Sequence, residues 1–280
     1  IIDEQHRFGV EQRRRMVEKG DRPDLLVMTA TPIPRSLALT AYGDLETAIL
    51  DELPPGRKPV ESLILPAEDR ARAYRRLRTD LEAGGQGYVV FPAIDEPGEL
   101  EIPSLEREGT VILETLSDHE GAVLHGRLPL EDRERIMECF RRGEIRFLLA
   151  TSVIEVGVDV PAATAMIIEG AERFGLAQLH QLRGRVGRGK RPAWCAAIHG
   201  SLTEAGRERM RAFHRHRDGF ALAERDLEIR GPGELLGERQ AGEAGFRFAD
   251  LRRHMELLEA ARQDARDLVA AGRIPPEVLP

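Results

Sequence analysis

Short apolar runs alternate with amphipathic, charge-rich stretches through most of this 280-residue chain. That alternation limits the fold more than any other feature. Gly87-Tyr-Val-Val-Phe-Pro92, Val123-Leu-His125, Arg146-Phe-Leu-Leu-Ala-Thr151, Ala165-Met-Ile-Ile-Glu169 and residues 193–198 are apolar nearly throughout. Each is too short for a helix and too continuously apolar for a strand with one face in water. Between them lie helical patterns. Residues 68–82 place Ala71, Tyr74, Leu77 and Leu81 on one stripe, and residues 130–142 stop at Gly143. Residues 95–108, rich in acid and proline, read as a surface excursion without chemistry. Strands alternating with helices predict an α/β fold, a parallel sheet covered on both faces. Further upstream, Leu25-Leu-Val-Met-Thr29 reads as another buried strand. Leu53-Pro-Pro-Gly-Arg-Lys-Pro59 is a turn-rich connector between two lobes.

Chemistry concentrates in Gln178-Leu-His-Gln-Leu-Arg-Gly-Arg-Val-Gly-Arg-Gly189. Read as a helix, Gln181, Arg185 and Arg188 fall at i, i+4 and i+7 and share a face. Gly184 and Gly187 would each cost such a helix roughly 1 kcal/mol, which implies a backbone that must come close to something. Arginine suits a multi-oxygen anion, because its donors form a fixed fork and its charge does not titrate away. The chain opens Ile1-Ile2-Asp3-Glu4-Gln5-His6, an apolar run broken by adjacent carboxylates. In a parallel sheet such acids sit at a strand's carboxyl end, where ligands gather. One can hold Mg²⁺ while its neighbour orients or deprotonates an attacking water.

Composition excludes several classes. The two cysteines, Cys139 and Cys195, are too few for a disulfide framework or a four-cysteine zinc site. No apolar run approaches membrane-spanning length and no signal peptide is evident, so a cytoplasmic protein with no membrane partner is expected. The net charge of −7 argues against nucleic-acid binding when taken alone. The basic clusters at 183–191 and 207–217 run against it, offset by acids at 96–108.

Asp-Glu-Gln-His resembles motif II of the superfamily 2 helicases, and Gln-Leu-Arg-Gly-Arg-Val-Gly-Arg resembles their motif VI. Thr29-Ala-Thr-Pro-Ile-Pro-Arg35 is similar to motif III, and Ala150-Thr-Ser-Val-Ile-Glu-Val-Gly-Val-Asp-Val-Pro161 to motif V. The segment from Asp218 to Gly242 resembles the translocation motif shared by RecG-type helicases and the transcription-repair coupling factor Mfd. Gly231-Pro-Gly-Glu234 follows the RecG pattern. The resemblance implies RecA-like lobes and a division into 1–55 (remnant of a first lobe), 56–200 (second lobe) and 201–280 (helical-hairpin translocation domain). No Gly-x-x-x-x-Gly-Lys-[Ser/Thr] loop is present. The chain therefore reads as the carboxyl-terminal part of a longer protein, holding half of an active site and inactive by itself.

Roles follow from that resemblance. ATP and Mg²⁺ are the implied cofactors, with Asp3 on the metal, Glu4 as base, and Arg185 and Arg188 stabilising the γ-phosphate. His6, Gln181, Gly157 and Asp159 would bind or sense nucleotide. Thr29, Thr31, His125, Gly126, Thr151 and Ser152 would couple it to DNA. Thr31 before Pro32 reads equally well as a helix N-cap, and His125-Gly126 as a plain strand end and turn. Arg209, Arg230 and Gln240 would link the motor to DNA travel, although a purely structural helical cap is the alternative for this tail. Residues 249–271 read as an amphipathic packing helix with Leu251, Met255, Leu258 and Leu268 on one face. The implied activity is ATP-driven translocation of a monomer on branched double-stranded DNA, that is, stalled forks and Holliday junctions. A polymerase-displacing translocase like Mfd and a non-catalytic DNA-binding module are the alternatives.

Overall fold

The computed structural model describes residues 1–3, 24–29, 48–50, 58–92, 101–151, 159–230 and 255–273. Six strands form one sheet: β1 (Glu61–Pro66), β2 (Gln86–Val90), β3 (Gly121–Leu124), β4 (Phe147–Ala150), β5 (Ala163–Ile168) and β6 (Trp194–His199). Their order is β1-β6-β5-β2-β4-β3, and every pairing is parallel. The connecting helices are α1 (Arg70–Glu82), α2 (Glu101–Thr115), α3 (Leu130–Arg142) and α4 (Leu176–Arg183). Three more follow the sheet: α5 (Glu204–Arg215), α6 (Gly219–Arg230) and α7 (Met255–Ala270). Short 3₁₀ turns at Ala67–Asp69 and Ala171–Arg173 lead out of β1 and β5.

Period-2 alternation of strand side chains builds the two faces. Val89, Phe147, Leu149, Ala165, Ile167, Trp194, Ala196 and Ile198 point to one side, into a core closed by Leu77 and Leu81 of α1 and Leu105 and Ile112 of α2. On the other side Tyr88 meets Phe140 of α3, ring centroids 5.0 Å apart. With β2, β4 and β5 buried along their whole length, the apolar runs read from the sequence are the central strands. The expected α/β, RecA-like sheet is the fold observed.

Several elements depart from the sequence reading. The buried stripe of α1 runs through Ala73, Leu77 and Leu81, and Ala71 is exposed. Residues 101–115, half of them assigned to a surface excursion, form α2 and bury Leu105 completely. Strand β1 and helix α5 were not anticipated. The apolar run at 25–29 contributes only an isolated parallel bridge between Ile2 and Val27 among the described residues. Leu268 of α7, expected to pack, is 42% exposed.

The chain divides into two compact units, Ile1–Pro32 with Asp51–Asp226, and Ile33–Leu50 with Leu227–Pro280. The first contains the whole sheet. Of the second, α7 is the main described element.

Candidate functional site

Because all six strands run the same way, residues preceding strands share one edge of the sheet and residues following strands share the other. Asp159, just before β5, lies on the amino-terminal edge together with the α4–β6 loop that carries Arg185 and Arg188. His125 and Gly126 follow β3 and Thr151 follows β4, so they lie on the carboxyl-terminal edge. At about 3.3 Å per residue the two edges stand roughly 13–20 Å apart. The candidate residues therefore fall into two groups rather than one.

The arginine loop is built differently from the helix expected. Helix α4 is capped by Gly175, whose N–H donates to Gln178 Oε1 at 3.1 Å, and ends at Arg183, where Gly184 N–H closes on His180 O at 2.9 Å. Arg185 and Arg188 lie beyond its end, so no helical i, i+4, i+7 face exists. Gly187 and Gly189 are explained by close approach to the sheet edge, whereas Gly184 faces only the carbonyls of Gln181 and His180 in its own preceding turn. Gly187, at φ +75°, donates its N–H to Ala163 O at 3.1 Å. A Cβ there would stand 2.9 Å from Val60 Cγ2 and 3.1 Å from Ala193 Cβ, and one on Gly189 would stand 2.3 Å from Pro161 O. The loop is thus pressed onto the starts of β1, β5 and β6.

From that base Arg188 reaches back. Its Nε donates to Gly184 O at 3.1 Å and its Nη1 pairs with Asp159 Oδ1 at 3.3 Å. Arg188 and Asp159 remain 32% and 61% exposed, leaving room for an anion to compete for the guanidinium. Arg185 is half-buried, as is Gln181 in the last turn of α4. Beneath them sits a residue the sequence reading passed over, Tyr88. Burial pushes its phenol above the ordinary range, while the charges of Arg185 and Arg188 pull it back and Asp159 adds to the rise. All three charged groups are within electrostatic reach of one buried hydroxyl.

On the opposite edge Thr151 is buried and donates its N–H to Leu124 O at 3.4 Å. Gly126 is exposed, and His125 Nδ1 is buried with no hydrogen-bond partner among the described residues. Asp3 and Thr29 are exposed beside the Ile2–Val27 bridge. Arg209 of α5 donates to Phe174 O at 3.3 Å, just before α4. Glu4, His6, Thr31, Ser152, Gly157 and Gln240 lie outside the described residues, as does the side chain of Arg230.

In the sequence Arg183 reads as one more charge in a basic cluster. It is 4% exposed and held by main-chain and hydroxyl oxygens. Burial lowers its affinity for a proton, and burial pushes the neighbouring Cys195 thiol up to about 12.

Comparison with known proteins fits this architecture. Residues 71–190 match the helicase conserved C-terminal domain, and residues 216–277 match the C-terminal part of domain 3 of the ATP-dependent DNA helicase RecG. The whole chain is 47% identical to the RecG helicase of Thermotoga maritima, spanning 36% of that protein. The chain belongs to the RecG family. Over 92% of its length it is 52% identical to RecG of Acidithiobacillus ferridurans, covering 38% of that protein. Over 96% it is 46% identical to RecG of Escherichia coli O157:H7, covering 40%. It therefore spans well under half the length of these curated relatives. A solved RecG bound to a three-way DNA junction superposes on 92% of the chain, and on 33% of its own, with a TM-score of 0.70 at 45% identity. The Lhr helicase of Mycobacterium smegmatis shares the fold at 18% identity, TM-score 0.53, over 75% of this chain and 29% of its own. The domain-3 match is to RecG, which disfavours the coupling-factor alternative.

Proposed function

We propose that this chain is the carboxyl-terminal motor portion of an ATP-dependent translocase that moves branched double-stranded DNA. The substrates are stalled forks and Holliday junctions, worked on in the cytoplasm by a monomer. Identity with RecG along the full chain supports the reading, as does the junction bound by the solved relative. The observation that carries it is the loop of Arg185 and Arg188, braced on the sheet edge beside Asp159.

A triphosphate fits this loop chemically. The guanidinium of Arg188 is partly exposed and, among the described residues, paired with the Asp159 carboxylate at 3.3 Å, so it can turn to a developing phosphoryl charge at small cost. Mg²⁺ is held by one or two carboxylates together with phosphate oxygens and water, and the exposed carboxylate of Asp3 suits that role. The metal would neutralise charge on the phosphates. Glu4 would take the proton of the attacking water, while Arg185 and Arg188 stabilise charge on the γ-phosphate as the bond breaks. Gln181 and Asp159 would sense its presence. The opposite edge, with His125, Gly126 and Thr151, would follow the DNA backbone.

The test is displacement of a labelled strand from a synthetic three-way junction by the full-length protein. ATP with Mg²⁺ is expected to drive displacement, and a non-hydrolysable analogue is expected to fail. Equal displacement with both nucleotides, or hydrolysis indifferent to DNA, would contradict the proposal.

A further inference from the structure

Arg183 is a buried cation whose described contacts are all neutral. Its Nη1 donates to Phe213 O at 2.9 Å and to Ser62 Oγ at 3.2 Å. Its Nη2 donates to Arg217 O at 3.3 Å and lies 3.1 Å from His180 Nδ1. The guanidinium stacks 4.7 Å above the ring of Phe213. Burying a charge without an opposite charge is costly, and an apolar side chain could fill the same space. What an apolar side chain could not do is join three elements through one rigid fork. The elements joined are α4, strand β1 and the corner between α5 and α6.

The place of each contact gives the fork its meaning. Arg183 is the last residue of α4, immediately before the loop of Arg185 and Arg188. Phe213 O belongs to the last turn of α5. Arg217 O directly precedes Asp218, whose Oδ2 accepts from Ala221 N–H at 2.9 Å and starts α6. At the far end of α4, Arg209 of α5 holds Phe174 O. His214 Nδ1 lies 3.0 Å from Ser62 O, tying the same corner to β1 a second time. Helix α4 is thus fastened at both its ends to the middle and last turn of α5, with the arginine loop and the root of α6 on one body.

We propose that Arg183 is a positioning residue that makes the α5–α6 corner travel with the Arg185–Arg188 loop, so that movement of the loop on nucleotide reaches α6 and the chain beyond it. This rests on the proposed translocase function and adds the part that transmits motion. Arg183 touches no reacting atom in this scheme, so its loss should separate hydrolysis from movement.

The experiment measures ATP hydrolysed and DNA displaced in one reaction, in the full-length protein with a three-way junction, for Arg183→Lys. Lysine keeps the charge but cannot span two carbonyls with a planar fork. Turnover is expected to stay within about two-fold of the parent while displacement per ATP falls about five-fold or more. Phe213→Leu, which keeps every backbone acceptor and removes the stacked ring, should shift the same ratio less, and it serves as the test if Arg183→Lys does not fold. An unchanged ratio in the folded variants would overturn the proposal. So would equal losses of hydrolysis and displacement, which would make Arg183 part of the hydrolytic centre or a plain support. A parent protein that hydrolyses ATP without displacing DNA would overturn the underlying function, an outcome visible before any variant is made.

Discussion

Gly143 and Gly187 hold nearly the same positive φ, +79° and +75°, for different reasons. Gly143 ends α3 in open space, where a Cβ would meet nothing within 4 Å, whereas Gly187 is wedged against Val60 and Ala193. An alanine at 143 should cost only left-handed backbone strain, about 1–2 kcal/mol. At 187 overpacking adds to that strain, for about 2–5 kcal/mol in all. Urea unfolding of the two variants measures the difference, and equal losses would contradict the wedge. The sequence signals close approach for the pair Gly184 and Gly187, which holds at the sheet edge for Gly187, while Gly184 faces only the carbonyls of its own preceding turn. It could not name the neighbour, because Val60, Pro161 and Ala193 carry no local signal that points to this loop. Nor could it separate Arg183 from Arg185 and Arg188. A helix drawn through Gly189 does turn Arg183 away from the other two, but nothing local shows that this side is buried against β1 and α5.

Elements were legible where one physical signal dominated. Helix α3 ends as expected, because apolar spacing and a stop glycine agree. Helix α2 was hidden by its acids and by Pro103. A proline in the first turn removes an N–H that has no intrahelical partner in any case. Strand β1 was hidden by polar Glu61 and Ser62, which are satisfied by Arg76 and Arg183. Between elements, Glu169 at the end of β5 accepts from Tyr74 Oη at 2.7 Å and Arg70 Nη2 at 3.1 Å, while Arg70 also pairs with Glu108 of α2 at 3.0 Å. Burial outweighs these partners and raises the Glu169 carboxyl above its ordinary value. A raised folded value means the associated stability is complete below the unfolded pKa and is lost as pH rises through the folded one. Glu169→Gln removes that loss. Its stability relative to the parent should therefore grow as pH rises above the ordinary carboxylate range in denaturant unfolding. A flat or falling difference would show that Arg70 and Tyr74 compensate the burial.

For the whole molecule, the parallel sheet was readable because its central strands are buried on both faces and so appear as unbroken apolar runs. The division of candidate residues between opposite edges was not readable. Thr151 and Asp159 are close in sequence, yet one ends β4 and the other precedes β5. That division has a mechanical consequence for the proposed function: the group proposed to face phosphate and the group proposed to face DNA are linked through the body of the sheet. In the proposed function the braced arginine loop completes a hydrolytic site. The most direct test is DNA-stimulated ATP turnover by full-length Arg188→Ala, with nucleotide affinity measured on the same preparation. Turnover should fall about 100-fold or more while affinity changes by less than about three-fold. Turnover close to that of the parent, or affinity and turnover lost together, would contradict it.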